Sequence, residues 1–342
     1  MSWREFIPGR LRRPLRRWRA RWRSEAPAPP PGRDAWFSPD QIEVLRRTYY
    51  DLGSAEGGPW DRYRDAHLVL PDWFRHGLDP WGEEYAAQQQ RLWALIAGVD
   101  RPYEPDLDEK ETGWKGVDPV RTPGFYVRRD AQAIASASDH LLATGMILKH
   151  CALRAGDWAL EYGAGFGQTA LALARLGVNV DTVDISAKFC EFVQAQAEHF
   201  SVPLNAFQGR FGMNPRPGQR YKLIWFYESF HHCVDFQQVV PKLADHLAEG
   251  GRVILGGEPI FERTYAGIPY PWGVRLHSEV AAVMRQTQWF ELGFTEAFLY
   301  ELFQRSGFVG RKVDCEPSLF GRLYTFERQA SASAPTTARP AA

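Results

Sequence analysis

The sequence predicts an α/β fold: a doubly wound, mostly parallel seven-stranded sheet with a helical N-terminal extension. Three observations predict it. From residue 131 onward, apolar runs of strand length alternate with stretches of helical periodicity. The first of those runs ends in three evenly spaced glycines, Gly163, Gly165 and Gly167, within LEYGAGFGQ (160–168). The last two runs, FVGRKVDC (308–315) and LFGRLYTFER (319–328), follow one another with only a short link, which predicts an antiparallel pair.

Taken in order, residues 131–153 read as a helix and DWALEY (157–162) as a buried strand. GQTALALARLG (167–177) is a helix closed by Gly177, and VNVDTVDIS (178–186) a strand. In AKFCEFVQAQAEHF (187–200) Phe189, Phe192, Val193, Ala197 and Phe200 share one helical side. PLNAFQG (203–209) and YKLIWFYE (221–228) are the third and fourth strands. A helix running through Leu247 leads to the fifth, GGRVILGGE (250–258), and TEAFLYELFQRSG (295–307) is a further helix. Ahead of these, residues 34–130 form a helical region rich in aromatics. SPDQIEVLRRTYYDL (38–52) begins with Ser38 as N-cap, Pro39 in the first turn and Gln41 completing a capping box. A second helix ends at Gly98. Residues 101–128 lack periodicity and read as a long loop, a common form for lids and binding segments.

The chain has 342 residues, 44% of them hydrophobic and 24% charged, a globular composition with no apolar run of membrane-spanning length. Its four cysteines, Cys151, Cys190, Cys233 and Cys315, show no metal-finger spacing and read as reduced thiols, which suits a cytoplasmic protein. The net charge of zero hides an asymmetry. Residues 1–33 carry ten arginines against Glu5 and Glu25, so the remainder carries the compensating negative charge. Within this arm Trp3, Ile7, Leu11, Leu15, Trp18 and Trp22 recur every three or four residues. Such a basic amphipathic stretch over residues 1–24 suits peripheral association with an anionic membrane, whereas Pro8 and Pro14 favour a disordered tail. The expected organisation is therefore a basic arm and proline-rich linker (1–33), a helical cap or substrate region (34–130), a cofactor-binding domain (131–328) and a disordered tail (329–342).

The glycine loop is G-x-G-x-G rather than the G-x-G-x-x-G of dinucleotide sites, since Gln168 stands where the third glycine would be. Glu161, two residues ahead of Gly163, opposes a pyrophosphate and suits a cationic ligand. Asp184, at the end of the next strand, is placed to accept hydrogen bonds from ribose hydroxyls, and Ile185 beside it can pack on an adenine. An adenosine with a cationic group and no phosphates has the shape of S-adenosylmethionine.

These residues, with VDTVDIS and LAEGGRVILGGEP, resemble the class I S-adenosylmethionine-dependent methyltransferases over about residues 135–327. The family's first motif falls on Glu161, Gly163, Gly165 and Gly167, its second on Asp184, and its late Gly-Gly turn on Gly250-Gly251. The resemblance implies S-adenosyl-L-methionine as cofactor and Tyr162 as a further member of the site. Many members place an acid after the third strand to meet the adenine amino group. This chain has Gly209, Arg210 and Phe211 there, so Phe211 becomes the candidate for stacking on the base.

Chemistry then falls to FYESFHHC (226–233), after the fourth strand. Tyr227 and Glu228 are expected beside the methionine part of the cofactor. His232 or His231 is the candidate base for an acceptor hydroxyl, with Glu228 orienting it. The two histidines with Glu228 or Glu258 could also offer metal ligands, but adjacent side chains on a strand or helix point apart, so no metal is expected. Glu258 and Arg263 in the aromatic segment 258–277, and Tyr126 and Arg128 in 122–130, are candidate substrate contacts. The aromatic N-terminal helical region and WFELGFTEAFL (289–299) resemble bacterial methyltransferase-domain proteins associated with polysaccharide biosynthesis, a likeness that implies a hydroxyl of a small molecule or glycan as acceptor. Two alternatives stand beside this reading: a nicotinamide-dependent oxidoreductase, and a non-catalytic cofactor-binding module. Nucleic acid is not an expected partner, because the folded part is acidic and repels phosphates.

Overall fold

The computed structural model describes residues 36–53, 57–109, 117–128 and 132–329. The basic arm and the membrane association expected of it, Arg129, and all but Gln329 of the C-terminal tail lie outside the described residues.

The chain divides into two compact units. One takes its described residues from Met1–Gly113, His231–Val234 and Pro259–Leu299, the other from Trp114–Phe230, Asp235–Glu258 and Tyr300–Ala342. The division is thus not a simple split near residue 130. Segments that read as part of the cofactor domain, 231–234 and 259–299, group with the aromatic N-terminal region.

In the unit that holds the glycine loop, helix α1 (Ala133–His150) precedes strand β1 (Trp158–Tyr162), and α2 (Gln168–Arg175) leads to β2 (Asn179–Asp184). Helix α3 (Ala187–Phe200) and β3 (Leu204–Gln208) follow, then β4 (Tyr221–Tyr227), α4 (Phe236–His246) and β5 (Leu247–Gly256). Helix α5 (Glu296–Arg305), whose residues from Tyr300 onward count in this unit, β6 (Phe308–Val313) and β7 (Leu323–Arg328) complete the series. The sheet order is β6-β7-β5-β4-β1-β2-β3. Strands β1 to β5 are parallel, and β7 pairs antiparallel with both β5 and β6. The seven strands, their mostly parallel pairing and the closing antiparallel pair agree with the sequence reading.

The apolar side chains of this sheet and its helices, among them Ile147, Leu173, Val193, Leu223, Trp225, Ile254 and Leu323, form one buried cluster. Local sequence sets the element ends. Ser186 accepts the Phe189 amide at 3.0 Å and starts α3. Strand β5 begins three residues before Gly250, earlier than expected. Gly250, at φ +66°, and Gly251, where a Cβ would lie 2.9 Å from the Tyr221 carbonyl, kink it internally instead of preceding it. Strand order reverses between β1 and β4, and such a switch point opens a crevice at the carboxyl ends of the strands.

The other unit is built on aromatic packing. Ser38 and Gln41 form the expected cap, with the Ser38 amide donating to Gln41 Oε1 at 2.8 Å ahead of helix Ile42–Asp51. Helix Glu83–Ala97 ends at Gly98 in the left-handed region, φ +75°. Its Trp93 stacks on Phe290, and its Tyr85 hydroxyl donates to the Trp272 carbonyl. A three-stranded sheet orders Ile260–Phe261, Leu292–Thr295 and Trp272–Val274. The segment 258–277, read as a loop, therefore contains two short strands, and 101–128 contains the short helix Pro105–Asp108 and the turn Gly124–Val127. Such short elements fall below the length at which periodicity is legible. No described helix is long and apolar enough to cross a membrane.

Candidate functional site

The loop after β1 is built from three left-handed glycines: φ is +66° at Gly163, +52° at Gly165 and +63° at Gly167. They do different work. A Cβ at Gly163 would come within 2.5 Å of Ser229 Cβ, and one at Gly167 within 2.7 Å of Val193 Cγ2. At Gly165 the nearest atom to such a Cβ is Phe189 Cε1 at 4.0 Å, so this is where the backbone leaves room for a ligand. Gln196 donates to the Phe166 carbonyl at 2.8 Å and Gln168 to the Pro123 carbonyl at 3.2 Å, holding the loop on two sides.

Asp184 is buried at the end of β2, facing this loop. Its Oδ2 accepts the Gly165 amide at 2.9 Å, and its Oδ1 accepts the Ser186 amide at 2.9 Å. One carboxylate thus joins the glycine loop to the start of α3. The half-buried Ile185 accepts Gln208 Nε2 on its carbonyl at 3.1 Å.

Glu161 and Tyr162 lie under the loop rather than in it. Tyr162 is fully buried, stacks on Phe226 and donates its hydroxyl to the Met213 carbonyl at 2.7 Å, so its ring is a core group. Glu161 is 3% exposed, and its Oε1 accepts the Trp225 indole N–H at 2.7 Å, while Oε2 is buried without a hydrogen bond. Burial pushes its carboxyl up to about 8, with the Asp184 charge adding to the rise and the hydrogen bonds from Trp225 and the Ala170 backbone opposing it. Burial thus favours the uncharged form of a carboxyl that the sequence reading takes as charged. Phe211 stands 3.3 Å from the position of a Gly163 Cβ and packs against Tyr162 and Phe226, beside the first glycine.

Beyond β4 the structure pairs Glu228 with a histidine other than the expected one. Glu228 has φ +49°, a left-handed position that is unfavourable for a side-chain-bearing residue. Its Oε2 lies 3.4 Å from Nδ1 of His140 on α1, and the same nitrogen is 2.6 Å from the Tyr227 hydroxyl. Phe125 stacks on the His140 ring. Burial, and secondarily Arg128, lowers the His140 pKa against the opposing effect of Asp139, so the ring favours its neutral form. Burial, followed by the charge and hydrogen bond of Glu228, pushes the Tyr227 phenol far above its usual value. His140 was not singled out in the sequence because it is about ninety residues from its partners and occupies one position on an amphipathic helix.

His231 and His232 belong to the other unit, and so do the groups that hold them. His231 Nε2 lies 3.6 Å from Glu291, which also binds Arg275. His232 Nδ1 lies 3.1 Å from the Phe290 carbonyl and 3.6 Å from Glu109. Glu228 thus lies beside His140, while Glu291 and Glu109 are the carboxylates beside His231 and His232.

Of the expected substrate contacts, Glu258 is a turn-former: one of its oxygens accepts the Ser229 and Phe230 amides at 2.9 and 2.8 Å. Tyr126 and Arg128 are exposed, Tyr126 lying against Phe125 and Arg128 donating to Ser136. Arg263 is exposed in the other unit.

Residues 159–251 match the family model described as a methyltransferase domain. The 27-O-demethylrifamycin SV methyltransferase of Amycolatopsis mediterranei is 32% identical over 130 residues, 37% of this chain and 45% of that protein. The uncharacterized methyltransferase YcgJ of Bacillus subtilis is 29% identical over 128 residues, 37% of this chain and 49% of that one. The chain spans about half the length of the curated relatives it matches. The crystal structure of YcgJ superposes with a TM-score of 0.43 at 20% identity, over 51% of this chain and 71% of that one.

Proposed function

We propose that this chain, which carries a class I S-adenosylmethionine-dependent methyltransferase domain, methylates a hydroxyl group of a small molecule or glycan. The observation that carries the proposal is the pairing of an open glycine position with a fixed carboxylate: the room beside Gly165 and the Asp184 carboxylate bonded to the Gly165 amide. Gly163, Gly165, Gly167, Asp184 and Ile185 would hold S-adenosyl-L-methionine, which supplies a methyl group activated by its sulfonium.

His140 is the candidate base. Tyr227 has one proton and two neighbours. If it donates to Glu228, it accepts from His140 Nδ1–H, and the ring lone pair is then on Nε2. A carboxylate at the end of such a chain fixes the tautomer and steadies the ring when it takes a proton. The acceptor hydroxyl gives its proton to Nε2 as its oxygen bonds to the methyl carbon, and the carbon–sulfur bond breaks to leave a neutral thioether. Support for a hydroxyl acceptor comes from the name of the Amycolatopsis relative, which specifies an O-demethyl compound. The exposed Tyr126 and Arg128, near Phe125, suit a ring or sugar with a polar edge.

Calorimetry with S-adenosylhomocysteine and NADH tests the cofactor, with the former expected to bind and the latter not. Asp184→Ala should weaken the former by roughly 1.5–3 kcal/mol, the range for hydrogen bonds to a charged group, and wild-type affinity in that variant would falsify the ribose placement. Transfer of labelled methyl from S-adenosylmethionine to a panel of hydroxyl and amine acceptors tests the reaction, with amine-only transfer overturning the hydroxyl assignment. For the arm, we propose peripheral binding to anionic membranes through residues 1–24; removal of residues 1–33 should release the chain from anionic liposomes, and unchanged partitioning would sink the idea.

A further inference from the structure

Three donor groups distant in sequence converge in the aromatic unit. His231 and His232 stand in the turn Phe230–His232, and Glu291 immediately precedes strand Leu292–Thr295. One donor atom from each of the three lies within 4.8 Å of the others. The two imidazole centroids are 4.2 Å apart, so these neighbours do not point apart as adjacent residues on a regular element would. The reason is the tight turn that carries them.

One of the separations already matches that of two ligands on one ion. Metal–nitrogen and metal–oxygen bonds of about 2.0–2.2 Å put tetrahedral ligand atoms roughly 3.3–3.6 Å apart, and His231 Nε2 lies 3.6 Å from Glu291 Oε2. The protonation pattern suits one as well. His232 Nδ1 is 3.1 Å from the Phe290 carbonyl oxygen. A carbonyl only accepts, so Nδ1 carries the proton, and the neutral ring has its lone pair on Nε2. Metal-bound imidazoles are oriented in the same way, by donating their other ring N–H to a carbonyl or carboxylate. Both carboxylates nearby are held in place: Arg275 donates to Glu291, and the Tyr103 hydroxyl donates to Glu109, itself 3.6 Å from His232.

We propose that His231, His232 and Glu291 bind one divalent ion of the zinc class, with Arg275, Glu109 and the Phe290 carbonyl orienting the ligands. Two imidazoles and a carboxylate favour zinc, cobalt or iron over magnesium or calcium, which prefer all-oxygen sites. Three protein ligands leave a position open to water or another ligand. The ion ties together the turn at 230–232 and the strand after Glu291, so it should also stabilise the fold by mass action.

Full-length protein stripped with chelator and titrated with Zn(II) by calorimetry, and with Co(II) by visible absorption, tests this. The expected result is one ion per chain, Co(II) bands in the visible range and a higher melting temperature with Zn(II). His231→Gln and His232→Gln should each weaken binding tenfold or more, while His199→Gln, an exposed residue of the other unit, should not. Equal affinity in the wild type and both turn variants overturns the site. If those variants do not fold, the wild type alone decides: no stoichiometric uptake, or no change in melting temperature on uptake, overturns it.

Discussion

Glu161 and Glu291 are the same residue type, both almost fully buried, and they titrate in opposite directions. Glu161, in the glycine-loop unit, has an indole N–H and a backbone amide for company, and burial pushes it up to about 8. Glu291, in the aromatic unit, feels the same pressure from burial, but the charges of Arg275, His232 and His231 and the Arg275 hydrogen bond outweigh it and bring it down to about 2. Hydrogen bonds alone did not keep the first carboxyl ionised; a fixed guanidinium kept the second. A third glutamate, Glu228, is about one-third exposed and pairs with His140. The comparison separates three uses of one side chain: a neutral brace under the loop, a charged anchor, and a partner to a titratable ring.

The strongest way to break the comparison is to remove the guanidinium. Arg275→Met leaves Glu291 buried without its guanidinium, beside His231 and His232 only, which should cost up to about 3–5 kcal/mol, measured by denaturant unfolding. It should also reverse the pH dependence. In the wild type Glu291 has a folded pKa below the unfolded 4.5, so its contribution is present above that value and is lost as pH falls from 4.5 toward about 2. In the variant the loss should instead appear as pH rises, as it does for Glu161. An unchanged acid limb would contradict the assignment of the shift to Arg275.

Next in size is the histidine paired with the partly exposed glutamate. His140→Gln should lower kcat for methyl transfer by about 10²–10⁴, the usual range for a general base, with little change in the KM for S-adenosylmethionine. A fall confined to KM would make His140 a binding residue. The brace gives a smaller effect, with a distinctive sign. Because the folded pKa of Glu161 lies above its unfolded 4.5, it favours the folded state at low pH, and that contribution is lost as pH rises through about 8. Melting temperatures of the wild type should therefore decline across this interval, and Glu161→Gln should flatten the decline; parallel curves would place the responsible group elsewhere. The smallest effect is at Glu228. Replacing it with glycine relieves the left-handed backbone and should stabilise the fold by about 1 kcal/mol while impairing catalysis, and a loss of stability would show that its side-chain contacts outweigh the strain.

The sheet was legible because its strands are continuous apolar runs separated by helical periods, and the cofactor loop because three glycines and Asp184 are close in sequence. The base was not. Its proposed position on α1 depends on where a helix packs, and a single His140 among helical residues gives no signal until Tyr227 and Glu228 stand beside it. The adjacent His231 and His232 gave a signal, but not one that named their distant neighbours. Sequence proximity suggested Glu228, whereas the fold delivered Glu109 and Glu291 from segments more than fifty residues away. Burial also escaped the sequence: nothing in LEY separates a glutamate that faces a ligand from one tucked against Trp225.

The hydrogen bond from the Trp225 indole to Glu161 has a practical consequence. Trp225 reads the state of a carboxyl directly beneath the cofactor loop, so the chain contains its own optical and magnetic reporter. The indole proton of Trp225, resolved by isotope labelling from the other twelve tryptophans of the chain, should shift as Glu161 loses its proton. Its response to added cofactor would register occupancy from the protein side, with no dye, no coupled enzyme and no need to know the acceptor.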